Sequence, residues 1–395
     1  MKVKKMQSMI RAALAVSVMA ASWAAQAQVD MSGYLRAGPG ASKKDAARAC
    51  YGLGGPGLKY RLGNECDIYG EFAISKTFKS DGVQYKALVM TNLYNPQTDT
   101  ADAKVGLNQM YVEAKGFDIA PESSFWIGKK FHGRWDVHIV DQYFTILDGV
   151  GAGVDTPVGP GTLGLSYFTN STPDPKVSGQ RFNIDYSGIP VNQDGKLRLL
   201  GTFTRGDFTG GKGGTAFTVQ HTQDKFLGGS NNLLLQASQG SAGLDGNFSG
   251  LTNSSNVKSF RVVDAFWWQS GPLGGQIYGM FQNDKAAGLK TDSFSLGGRV
   301  SYAFTKNFKL VTELGHSERK PEGGATQKLS KFTLAPTLSI GQGFWSRPEL
   351  RLYVTSAKWN AAANAAAGPN GIIGIDKYSS KTSGTSYGAQ FEIWF

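Results

Sequence analysis

The chain has 395 residues, enough for two soluble domains, but 52 Gly, 23 Phe, 15 Tyr and 8 Trp beside a mean hydropathy of −0.25 do not describe ordinary soluble domains. The net charge of +11 is spread along the chain without a Lys/Arg-rich run, which argues against a nucleic-acid partner. Past the first two dozen residues no apolar stretch approaches the ~20 residues of a membrane-spanning helix, so a helical membrane protein is excluded too.

In chain order, the first segment reads as a secretory signal peptide over residues 1–27. Lys2, Lys4, Lys5 and Arg11 precede or open a short apolar run, and Ala25-Gln26-Ala27 is a small-x-small cleavage site. Removing those four basic residues takes the charge of +11 down to +7. The only cysteines, Cys50 and Cys66, follow the leader. In an oxidising compartment two cysteines are expected to pair, closing a loop of about 15 residues worth roughly 3 kcal/mol in the chain-entropy model. Two free thiols or a metal site are the alternatives, and the lack of a nearby histidine weighs against metal.

The rest of the chain alternates with period two. Val83, Tyr85, Ala87, Val89, Thr91 and Leu93 oppose Gln84, Lys86 and Asn92. Leu163, Leu165 and Tyr167 share one face, and Leu197, Leu199 and Phe203 oppose Arg198 and Thr202. Phe294, Leu296, Val300, Tyr302 and Phe304 oppose Ser295, Arg299 and Ser301, and Leu350, Leu352 and Val354 oppose Arg351 and Tyr353. Turn-rich pieces at 170–177, 206–214, 240–256, 319–327 and 360–386 separate such runs. At ~9–11 residues per membrane strand this predicts about 16–18 strands, all-β, in one transmembrane antiparallel barrel over residues 28–395. The final strand sets Tyr387, Ala389, Phe391, Ile393 and Phe395 against Gln390, Glu392 and Trp394. An aromatic-rich strand ending on Phe is an assembly signal of bacterial outer-membrane proteins, so the address is the Gram-negative outer membrane.

Two features exceed what a wall needs. Residues 128–143 mix Lys, Arg, Asp, His, Trp and Tyr without strand alternation, and read as a loop folded into the lumen, where it narrows the pore. Several rings also sit on polar faces: Trp394 beside Gln390 and Glu392, Tyr34 beside Arg36, Tyr69 beside Glu71, and Trp345 with Arg347, Glu349 and Arg351. A ring in a wet lumen needs a reason. A pyranose supplies one, since its C–H face stacks on a ring and its hydroxyl edge needs polar partners.

These residues resemble the maltoporins, sugar-specific outer-membrane porins, across the mature chain. The resemblance is carried by VDMSGYLR at 29–36, KYRLGNEC at 59–66, residues 128–143 with GVGAG at 149–153, FTVQHTQ at 217–223, FWSRP at 344–348, AKW at 357–359 and the ending YGAQFEIWF. It implies an eighteen-stranded trimeric barrel with an aromatic slide of Tyr34, Tyr69, Phe217, Trp345 and Trp394. It implies flanking polar residues Arg36, Arg61, Glu71, Arg134, Asp136, His138, Asp141 and Tyr143, and a Cys50–Cys66 bridge in the first external loop. The implied partners are maltose and maltodextrins, outer-membrane lipid, further copies of the chain and a periplasmic sugar-binding protein. Three positions depart from the family pattern: the second external loop, 95–104, has no aromatic; Asn108 stands where an arginine is expected; and Ile146 stands where an acid is expected. These changes point toward a looser throat like that of sucrose-type relatives.

Competing chemistry has little support. Asp136, His138 and Asp141 have ligand-like spacing, but Arg134 adjoins them and no second histidine cluster follows, so no metal or other cofactor is expected. His132, His138, His221 and His316 lie in no nucleophile motif, and no enzyme is predicted. A general diffusion porin or a barrel adhesin remains the alternative to a sugar channel.

Overall fold

The computed structural model describes residues 29–42, 49–96, 102–172, 177–367, 372–373 and 380–395. The expected signal peptide, residues 1–27, lies outside the described residues. Eighteen strands form the wall: β1 Asp30–Ala37, β2 Ile68–Ser80, β3 Val83–Asn95, β4 Lys104–Phe117, β5 Ala120–Lys130, β6 Gly149–Val158, β7 Gly161–Thr172, β8 Val177–Asn192 and β9 Gly195–Gly206. They continue as β10 Gly213–Phe226, β11 Gly229–Gly240, β12 Lys258–Ser270, β13 Leu273–Ala286, β14 Leu289–Ala303, β15 Phe308–Pro321, β16 Gln327–Ser339, β17 Glu349–Trp359 and β18 Ser383–Trp394. Each pairs antiparallel with the next, and β1 pairs with both β2 and β18, so the sheet closes and has no free edge.

The alternation found in the sequence is the reason for the wall. Val89, Leu199, Leu296, Leu352 and their neighbours are exposed on the outside, whereas Arg181, Arg261, Arg299, Glu313 and Lys331 are buried inside. Tight turns join the strands at one end. Asp81-Gly82 and Leu227-Gly228 have positive φ at both positions, the geometry whose twist matches a two-residue hairpin. Short turns mark the periplasmic end of such a barrel and longer loops the external end.

The lumen is not an open tube. The first loop and residues 131–148 fold inward, and Tyr51, Leu53, Leu58 and Tyr60 of the former meet Val137, Ile139, Val140 and Phe144 of the latter. Both pack on inward residues Leu234, Val263, Tyr278 and Met280 of the wall. This internal apolar cluster makes the loops part of the fold rather than mobile covers. Tyr60 lies flat on β14 and β15, where a Cβ on Gly315 would overlap its ring. The Cys50–Cys66 disulfide is formed, with an S–S distance of 2.06 Å.

Wall charges hold the first loop through its backbone. Glu313 accepts from the Leu62 amide at 2.9 Å, and Lys331 and Thr333 donate to the Leu62 carbonyl at 3.0 and 3.1 Å. Glu313 is also paired with Arg299 at 2.6 Å and Lys331 at 3.0 Å, so the buried charges compensate one another. Residues 241–257, between β11 and β12, also turn inward. The Asp245 and Gly246 carbonyls accept from Ile146 and Asn183, which ties this segment to the constriction loop and to β8.

Candidate functional site

The constriction loop is a short hairpin, Trp135–Val137 with Gln142–Thr145, turned by the 3-10 segment His138–Val140. Its apolar residues are consumed by the internal cluster, and Asp136 and Tyr143, paired across the hairpin, stay accessible to the channel. Asp141 closes the turn at φ +51°, a left-handed conformation uncommon for a non-glycine residue. That geometry aims its carboxylate at Arg36, 3.0 Å away, and Arg61, 3.5 Å away. Burial alone would raise the Asp141 carboxyl, but the two guanidinium groups outweigh it and hold it at about 2. Asp136 looks into the channel but is ringed by protein on its other sides, and burial raises its carboxyl despite Arg61.

Arg61, Arg36 and Arg347 form one buried network. Arg61 lies 2.7 Å from Glu65 and 3.0 Å from Glu392, and donates to the Tyr34 hydroxyl at 2.6 Å. Arg36 adds Glu65 and Asp67, each at 2.8 Å. Glu392 accepts from the Tyr34 hydroxyl at 2.9 Å and from Arg347 at 2.8 Å. His138 sits between Arg61 and Arg347, with its two ring nitrogens 3.2 and 3.3 Å from them. Burial first, and then Arg61, push its imidazole well below the usual range, so it is neutral at pH 7. An imidazole wedged between two guanidinium groups is a poor cation ligand. Arg134 is held apart from this network, by Asp148 at 2.9 Å, and its guanidinium lies 3.2 Å from the centre of the Phe131 ring. Asp148 outweighs burial and raises the Arg134 guanidinium. The Tyr143 ring is 4.7 Å from the same guanidinium.

Four of the five expected slide rings come together. Tyr69 and Tyr34 have centroids 6.1 Å apart, and Tyr34 is opposite Trp394 across the β1–β18 seam. His138 joins Trp394 at 6.0 Å to Trp345 at 5.3 Å. Tyr94 extends the row at the outer end, 6.4 Å from Tyr69. Beside the row, Glu71 accepts from the Tyr69 hydroxyl at 2.5 Å and from Asn108 at 2.7 Å. Ile146 lies on the seam with residues 241–257, its amide 2.8 Å from the Asp245 carbonyl.

Phe217 does not join the row. It is 55% exposed, shares the outward face of β10 with Val219, and meets Phe203 edge-on at 6.3 Å. Its neighbours Thr218 and Gln220 point inward instead. The assignment by motif is therefore corrected by strand parity, and Phe217 belongs to the outer surface. Trp345 also differs from its expected setting. It lies on the turn between β16 and β17, which folds into the lumen, rather than on a wall strand.

Three residues were missed. Trp267 on β12 has its ring 6.2 Å from Trp345 and, with Trp135, Asp136, His138, Trp345 and Trp394, lines a cavity of about 320 Å3. Its parity with Arg261 placed it on the polar face and could have found it. Glu392 shares its face with Trp394, a signal present in the final strand. Trp135 carried no such signal, because the loop has no strand alternation.

A closed antiparallel barrel with an inward loop and a polar, ring-lined passage defines an outer-membrane porin. The chain matches the LamB porin family over residues 29–395 and belongs to that family. Among solved structures it is similar to an anion-selective porin from Comamonas acidovorans, at 12% identity and TM-score 0.51, covering 93% of this chain and 100% of that one. It is also similar to two Pseudomonas aeruginosa proteins, OpdQ and OccK1 (OpdK), at 8% and 11% identity, each with TM-score 0.50 and coverage of 93% of this chain and 99% of theirs. At these identities the likeness is one of fold.

Proposed function

We propose that this porin is a sugar-specific channel passing maltose and maltodextrins by facilitated diffusion, without catalysis. The observation that carries the reading is the row Tyr69, Tyr34, Trp394, Trp345 and Trp267 running beside Glu71, Asp136, Arg134 and Tyr143. A pyranose can keep its apolar face on successive rings while its hydroxyls exchange acceptors and donors along the polar side. A sieving pore needs the charges but not the rings.

Asn108 favours a broader substrate range. It donates to Glu71 as a short neutral side chain, leaving space that an arginine would fill. Sucrose-type sugars are therefore the second reading. We further propose that residues 1–27 are removed on export, that residues 28–395 form one barrel domain, that the porin is a homotrimer and that a periplasmic sugar-binding protein receives the product. For the trimer the support is the outer surface. Phe182, Phe203, Phe217, Phe260, Phe281 and Phe294 belt the external half from β8 to β14, while the corresponding face of β3 to β6 carries Thr91, Leu93, Val105, Leu107, Val150 and Ala152 and no ring. A wall without an interfacial girdle suits a protein neighbour better than lipid.

The test is substitution along the row. Trp394→Ala and Trp267→Ala should each weaken maltodextrin block of ion current by roughly tenfold while conductance stays equal or rises, the worth of one stacking ring being ~1–1.5 kcal/mol. Unchanged block in both variants would refute the slide.

A further inference from the structure

Three cations stand side by side on the outer surface. Lys258 on β12 is directly opposite Lys285 on β13, and Lys285 is directly opposite Lys290 on β14. All three are exposed and share the parity of the outward rings Phe260, Phe281 and Phe294 on the same strands. Like charges opposite one another on neighbouring strands are destabilising, so the row calls for an anion. The protein does not supply one. None of the three lysines forms an ion pair among the described residues. Glu322 accepts from the Lys290 backbone amide at 2.7 Å, and Asp292, one row further in, accepts from the Asn283 amide at 2.5 Å. A fourth lysine, Lys320, stands opposite Asp292.

The row lies at the external surface of the membrane. Lys258 opens β12, Lys285 is next to the last residue of β13 and Lys290 next to the first of β14, at the barrel end that carries the long first loop. The connection 287–288 is short and residues 241–257 turn inward, which leaves the row open to the membrane surface. An apolar groove runs down from it. One row toward the membrane centre, Ala237 on β11 is paired with Phe217 on one side and Phe260 on the other. This small residue between two rings leaves a groove of about 360 Å3 on the outward face, with Gln239 and Lys258, themselves paired, at its upper end.

We propose that Lys258, Lys285 and Lys290 bind a headgroup phosphate of the phosphorylated glycolipid in the external leaflet of the outer membrane, and that the groove over Ala237 takes one of its acyl chains. A phosphate monoester brings close to two negative charges and three acceptor oxygens to the row. The chain below it covers apolar surface between the two rings. The sector lies apart from the β3–β6 face proposed for the subunit contact, so a lipid can reach it.

The experiment is native mass spectrometry of the detergent-purified protein with equimolar lipid A, enzymatically dephosphorylated lipid A and phosphatidylglycerol. The wild type should retain lipid A at least about tenfold better than either of the others. Lys258→Gln combined with Lys285→Gln and Lys290→Gln should remove the preference, whereas Lys306→Gln, in a periplasmic turn, should keep it. Ala237→Leu fills the groove with the lysines intact and should cut lipid A retention about fivefold, which covers the case that the triple variant does not fold. Equal retention of lipid A and its dephosphorylated form by the wild type, or a preference that survives in the triple variant, would overturn the proposal. So would phosphatidylglycerol retained as well as lipid A, or lipid A retention undiminished in Ala237→Leu.

Discussion

Glu71 has only neutral hydrogen-bond partners in the throat, Tyr69 and Asn108, and no salt bridge among the described residues. It therefore offers a carboxylate to passing hydroxyls. Asn108→Arg would give it a cation, narrow the throat and add a charged donor for sugar. We expect maltodextrin block to tighten about tenfold and sucrose permeation to fall, as read by current block and liposome swelling. Loosened block would mean that Asn108 is not the residue setting breadth. The loop histidines set a pH limit. His132, packed against Trp126 at 5.1 Å, is lowered to about 4 by burial first and by Lys130 next. Because the folded value lies below the unfolded one of ~6.5, this contribution is present above pH 6.5 and declines as pH falls toward 4, by roughly 3 kcal/mol in total. Amide exchange of residues 131–148 should accelerate across that window, and His132→Phe should flatten the dependence.

Among the elements, the first loop depends on a carboxylate from a strand 251 residues away more than on its disulfide. Glu313→Gln would leave Arg299 and Lys331 without their anion in a buried site, a loss of about 3–5 kcal/mol. Protease cleavage within residues 49–67 should appear in that variant, while Cys50→Ser with Cys66→Ser should leave the loop seated. The reverse pattern would make the disulfide the main anchor. The wall strands were legible in the sequence because one residue's face fixes its neighbours' faces. Parity placed Tyr34, Tyr69 and Trp394 inside, and the same rule, applied to Phe217 and Val219, would have placed Phe217 outside. The inward turn carrying Trp345 was not legible as such. It is held by Arg347 on Glu392 and by Phe344 in the internal cluster, contacts that no local pattern encodes. The Arg61–Glu392 pair likewise depends on closure of the barrel, which brings β18 against β1.

At the scale of the whole molecule, the gap in the external girdle predicts how the barrel assembles. Ala152→Arg on β6 should dissociate the proposed trimer, because its outward neighbours Ile127 and Tyr167 would then flank a charge at the proposed protein contact. Ala237→Arg on β11, within the ringed sector, faces lipid and should leave the oligomeric state unchanged while costing the barrel ~2–4 kcal/mol at most. Light scattering of the purified protein distinguishes them, and equal effects of the two would remove the girdle argument. The assembly question is separate from transport, since the ring row and its polar side lie within one chain.

Whether this porin carries sugar along its ring-lined passage is decided by ion current through the wild-type protein in a planar bilayer. The current is titrated with maltose, maltotriose and longer maltodextrins, and with sucrose in parallel. Saturable block that tightens with maltodextrin length is the predicted result, since each added unit covers another ring. Block by sucrose as tight as by maltodextrins would move the assignment to a broader sugar porin. Current that no sugar blocks saturably would rule out a sugar channel and leave a general diffusion pore.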